Sequence, residues 1–115
     1  MASAGTPSAA DEARVGECFA EKVGAWFAHE GRRRVREYRA LRQMNMAVAL
    51  AASKMNELEG EPELVERMRR WLDETESRAV VRRAGARADA MVEARSWLEA
   101  CVGAAAAGRR RGAGR

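Results

Sequence analysis

The chain has 115 residues, room for one domain, with a formal net charge of +4 and only two prolines. Leu, Ile, Val and Phe supply 17 residues, about 15%, while 25 Ala and 19 Arg dominate; this favours helix and leaves only a thin core of Ala, Met, Val and Trp. Two cysteines without CxxC spacing and a single histidine exclude a disulfide-rich scaffold, a four-cysteine zinc site and a Cys2His2 finger, and no stretch reaches the roughly 20 apolar residues that span a bilayer.

Residues 1–7 are small and polar and are expected as a flexible N-terminus. Ser8-Ala9-Ala10-Asp11 fits the acidic form of the capping box, with Ser8 as N-cap. A first helix should run from there to about His29, ending at Gly31, with Phe19, Val23 and Trp26 as its apolar stripe and Val15, Cys18 and Phe27 beside it. Gly16 and Gly24 interrupt this helix, and a glycine at a helix contact allows another backbone to approach closely.

The second helix is expected from about Arg32 to Glu59. Its first turns are crowded with arginine, which opposes the helix dipole, so those charges form either a solvated face or a patch kept for a partner. Leu41, Met44, Val48, Ala51, Met55 and Leu58 then recur at gaps of three and four, the spacing of one helix face. Gly60 terminates the helix, because glycine accepts a left-handed backbone at no steric cost. Pro62 suits the first turn of the next helix, and Glu61, Glu63 and Glu66 suit its dipole. The result is an antiparallel helical hairpin.

After Pro62 the stripe continues through Val65, Met68, Leu72 and Thr75, then slips before Val81, Ala84, Ala88, Met91, Ala94, Leu98 and Cys101. The slip predicts one long helix to about Val102, bent or broken near Glu74–Ser77. Its surface should carry one-turn ion pairs such as Glu66–Arg70 and Glu74–Arg78. Residues 104–115 are low-complexity Ala, Gly and Arg and read as a disordered basic tail behind a helical domain spanning 8–103. The fold class is therefore all-α: three helices, with a fourth if the long one breaks, as a hairpin or small bundle.

Cys18 and Cys101 both fall on apolar faces. They read as two packed free thiols in a reducing compartment, although a three-helix closure would bring them near each other. His29, in the last turn of the first helix, reads as a dipole-neutralising surface residue. The acidic knot Asp73, Glu74 and Glu76 reads as surface support, and no nucleophile, phosphate loop or ligand cluster accompanies it. No enzymatic activity, metal or cofactor is expected. The N-terminus lacks a positive segment followed by an apolar one, and Asp11 and Glu12 do not suit a transit peptide. The expected location is intracellular, cytoplasmic or nuclear.

Strong periodicity, a thin core and helices of unequal length point to a protein–protein interaction or assembly protein that presents an apolar helix face, or that self-associates. The candidate contact residues are Met44, Val48, Met55, Met68, Trp71, Leu72 and Trp97. The alternative is a nucleic-acid-associated helical protein gripping phosphate through Arg32, Arg33, Arg34 and Arg36 at the basic Arg32–Arg42 stretch, and through Arg109, Arg110 and Arg111 in the tail. The tail has one Arg-Gly step and no aromatic, unlike RNA-binding segments that combine Arg-Gly repeats with aromatics.

Overall fold

The computed structural model describes residues 7–30 and 38–113. They form four α-helices, α1 (Ala9–Glu30), α2 (Tyr38–Glu57), α3 (Leu64–Val81) and α4 (Gly85–Ala113), and among the described residues there is no strand. The all-α expectation holds, and the fourth helix is the one allowed for by a break in the long helix. Most of the expected flexible N-terminus and the arginines Arg32, Arg33, Arg34 and Arg36 lie outside the described residues.

Helix α1 begins as its sequence dictates. The Ser8 backbone N–H donates to the Asp11 carboxylate at 3.3 Å, and the Asp11 N–H donates to Ser8 Oγ at 3.1 Å, which closes the capping box. Val15, Phe19 and Val23, spaced at four, are its buried face. A Cβ added at Gly16 or Gly24 would meet nothing within 4 Å, so neither glycine marks the close approach that the sequence allowed for.

Helix α2 buries Ala47, Val48, Ala51 and Met55. It ends in a turn where Gly60 takes φ 82°, the left-handed conformation glycine was expected to supply. Pro62 does not occupy the first turn of α3. It sits in the loop, and Glu63, itself left-handed at φ 59°, precedes Leu64 as the N-cap. Glu63 makes no side-chain cap. Instead the Val65 N–H donates at 2.9 Å to a carboxylate oxygen of Glu12, on α1 and 53 positions away. A charge-assisted bond at a helix start satisfies an orphan donor and complements the dipole, so α1 and α3 are pinned together at this end of the bundle.

The long helix does break, but at Arg82–Ala84 rather than near Glu74–Ser77. Ala79 is buried and continues the α3 stripe in phase, whereas Val81, assigned to the stripe by spacing, is 82% exposed. The slip is real but falls between Ala79 and Ala88, at the break itself; counting Val81 placed it too early. The break is a Schellman turn: the Ala84 N–H donates to Ala79 O at 2.8 Å and the Arg83 N–H to Val80 O at 3.0 Å, with Arg83 at φ 56°. This position is usually glycine, and arginine occupies it here, so the stop signal is hidden in the sequence.

Helix α4 is the centre of the arrangement and packs against all three other helices. Its inner face is Ala88, Met91, Ala94, Leu98 and Cys101, with Ala90 also buried. It continues helically to Ala113, through residues expected as a disordered tail, because a run of four alanines from Ala104 carries high helix propensity. The cross-helix pairs Arg69–Glu99 and Asp73–Arg95 set an antiparallel register that places Leu64 level with Ala104. About nine residues of α4, roughly 13 Å at the helical rise, therefore overhang the start of α3.

Cys18 on α1 and Cys101 on α4 form a disulfide, with Cα atoms 5.7 Å apart and 83 positions between them. This corrects the reading of two free thiols. Each cysteine lies on the apolar flank that its helix turns toward the other. Packing α1 on the distal half of α4 places the sulfurs within bonding range, which no local spacing could announce.

Candidate interaction surface

The apolar stripe proposed for a partner is the chain's own seam. Val48, Met55, Met68 and Leu72 are buried in the core, so the folded chain does not offer them to a partner. Met44, Trp71 and Trp97 are partly buried and pack against that core. Trp97 lies edge-on to Phe19, ring centres 6.2 Å apart, and 6.4 Å from Trp26. It closes the α1–α4 contact beside the disulfide. Arg109, Arg110 and Arg111 fall within the helical span of α4, and their side chains lie outside what is described.

Apolar surface that the fold leaves open lies elsewhere. Helix α2 turns Met46 and Leu50 outward, 50% and 52% exposed, one helical turn apart. Beside them, the end of α3 and the start of α4 enclose a groove of about 350 Å³. Ala47, Ala79 and Met91 line its inner side, continuous with the core, and Met46 and Leu50 line its outer side. The rim carries Arg78, Arg82 and Arg87 and no carboxylate. Arg78 meets Glu74 at 3.8 Å, the i,i+4 pair expected from spacing. Arg87 Nε donates to the neutral Gln43 at 3.2 Å. Among the described residues no carboxylate pairs with Arg82 or Arg87. Sequence reasoning missed this site, although one signal was present: Met46 and Leu50 form a second i,i+4 row, two places off the main stripe.

At the other end of the bundle, a groove of about 490 Å³ between α1 and the α2–α3 turn is acidic, lined by Glu12, Glu17, Glu59 and Glu61. The chain is thus polarised along α3, acidic where the helix begins and basic where it ends.

The densest charge cluster is structural. Arg69 grips Glu99 with two hydrogen bonds, at 2.7 and 2.8 Å, Arg95 Nε donates to the same carboxylate at 2.8 Å, and Arg95 also bonds Asp73. Glu66 meets Arg69 at 3.6 Å, in place of the expected Arg70. The Arg69 hydrogen bonds, with help from Arg95, hold the Glu99 carboxyl below its ordinary range against the opposing effect of burial. Glu99 in turn raises Arg69, and Asp73 raises Arg95. A carboxylate so held makes a poor proton donor, and this one braces α3 against α4. A group whose folded pKa is depressed stabilises above its unfolded pKa, about 4.3 for Glu. That stability disappears as pH falls through the lower folded value. Glu99→Gln should therefore cost stability at neutral pH, and its difference from wild type should shrink as the pH approaches 3, read from urea midpoints at the two pH values. A difference that stays constant with pH would remove Glu99 from this role.

Among the described residues no group of three or more His, Cys, Asp or Glu is placed to hold a metal ion, and no helix is long and apolar enough to cross a membrane. No family model matches the chain, and neither does any curated protein or solved structure.

Proposed function

We propose that this chain is a small, non-catalytic interaction protein that binds another macromolecule through the groove between α2, the end of α3 and the start of α4. The observation that carries the reading is the half-exposed pair Met46 and Leu50 standing over a floor continuous with the core. Exposed apolar surface with an arginine rim has the composition of a contact region, in which Met and Arg are enriched. Two methionines at the site, Met46 and Met91, allow the surface to adapt to what docks on it. Because the chain carries a disulfide, the proposed workplace shifts from the reducing cytoplasm or nucleus to an oxidising compartment, where such bonds persist.

Affinity capture with the intact chain and with Leu50→Glu tests the reading. Leu50 is half exposed, so the variant should keep its helical circular dichroism. It should lose a macromolecule that wild type and the control Ala49→Glu, exposed and about 100° round α2 from Leu50, both retain. Identical retention by wild type and Leu50→Glu sinks the proposal.

A further inference from the structure

We infer that the occupant of this groove is an acidic amphipathic helix of a partner protein, an identification that rests on the interaction reading above. The charge balance of the site carries it. Three arginines rim the groove, and among the described residues no carboxylate lines it and only Arg78 has an ionic partner. An occupant that buried apolar side chains here without carboxylates would desolvate Arg82 and Arg87 without compensation. One with carboxylates gains charge-assisted, two-pronged hydrogen bonds, for which the guanidinium is shaped.

The geometry selects a helix. Met46 and Leu50 are one turn apart on α2, and Arg78, in the last turn of α3, is one turn from Arg82 at its C-cap. Each pair spans roughly 6 Å along its axis. A helix laid between them matches both rows with apolar residues at i and i+4 and acids at i and i+4 on its flank, the helix-in-groove mode of recognition.

The same balance argues against other occupants. A second copy joined by a two-fold axis would bring its own Arg78, Arg82 and Arg87 against these three, like charge on like charge. The chain's acidic groove is itself concave and cannot fill this one. Nucleic acid would find arginines but no aromatic side chain lining the groove to stack a base, over a floor that is apolar.

The test is a selection against the intact, oxidised chain. The library displays amphipathic helical peptides of about 18 residues, five turns long, with a fixed leucine row and flanking positions free to be Glu, Gln or Lys. Selected peptides should carry Glu on one flank. The best of them, synthesised with a fluorophore, should bind wild type about tenfold more tightly than it binds Arg82→Glu/Arg87→Glu, whose changed side chains are exposed. Its Glu→Lys counterpart should show the reverse preference, and Leu50→Glu should bind neither. Flanks without charge preference, with binding unchanged in Arg82→Glu/Arg87→Glu and lost in Leu50→Glu, overturn the acidic partner and leave the interaction reading standing. Failure to select any peptide, or binding that Leu50→Glu leaves intact, overturns both. Sedimentation that shows a dimer dissociated by Leu50→Glu assigns the groove to a second copy and overturns the inference. Duplex DNA bound at physiological salt, and released by Arg82→Glu/Arg87→Glu but not by Leu50→Glu, overturns it as well.

Discussion

Replacing both cysteines, as Cys18→Ala with Cys101→Ala, is expected to lower the unfolding free energy by about 4 kcal/mol. The bond closes a loop across 83 positions, and the chain-entropy relation gives about 4–5 kcal/mol for a loop of that size, near the top of the range measured for natural disulfides. Against a total of about 5–15 kcal/mol for a domain of this kind, the loss is a large fraction. The effect comes mainly from the unfolded chain. The oxidised protein should therefore show a higher denaturation midpoint and a smaller m-value than the reduced one, because its unfolded state exposes less surface. Helix α1 should be the first segment cut by protease after reduction, since Cys18 ties it to α4 and residues 31–37 are its only other covalent link to the bundle. Equal midpoints with and without reductant, or two titratable thiols in the purified folded chain, would refute the assignment.

Phe19→Ala is expected to cost about 3–5 kcal/mol, while Phe27→Ala, eight residues along the same helix, should cost about 1 kcal/mol or less. Phe19 is 0% exposed and its ring meets the face of α4 edge-on at Trp97, whereas Phe27 is 37% exposed and touches Trp26. Much of the buried face of α4 is alanine, which has no rotamer with which to fill a void. The cavity left by Phe19 should thus persist, and the cost should lie toward the upper end. Guanidinium denaturation followed by tryptophan fluorescence measures both variants, and loss of the Phe19 ring should shift the Trp97 emission. Phe19 and Cys18 are adjacent, so adding the cysteine changes to Phe19→Ala should give a non-additive total. Equal costs for the two phenylalanines would mean that α1 does not anchor through Phe19.

Helix and its local punctuation were legible because the interactions responsible lie within four residues of one another. The three-and-four spacing of Val48, Met55, Met68 and Leu72 names one buried face. Ser8 and Asp11 cap each other across three positions, and the left-handed turn at Gly60 needs the one residue that adopts it freely. Where a local rule was met by an unusual residue, reading failed. The stop after α3 is made by backbone hydrogen bonds around a left-handed Arg83, and nothing in an arginine marks that conformation beforehand. The same spacing that revealed the stripe could not say whether it faces a partner or the chain itself, since periodicity carries a face but not what covers it.

The sequence by itself determined that this chain is helical, where α1 starts, where α2 turns back, and which residues on each helix are apolar together. Only the tertiary structure decided that α4 lies at the centre, that Cys18 meets Cys101, that Glu12 caps α3, and that Met46 and Leu50 stay half exposed beside three arginines. The reason is distance along the chain. Pairings over 53 or 83 positions depend on the angles and registers at which helices cross, and these follow from the joint packing of side chains from all four.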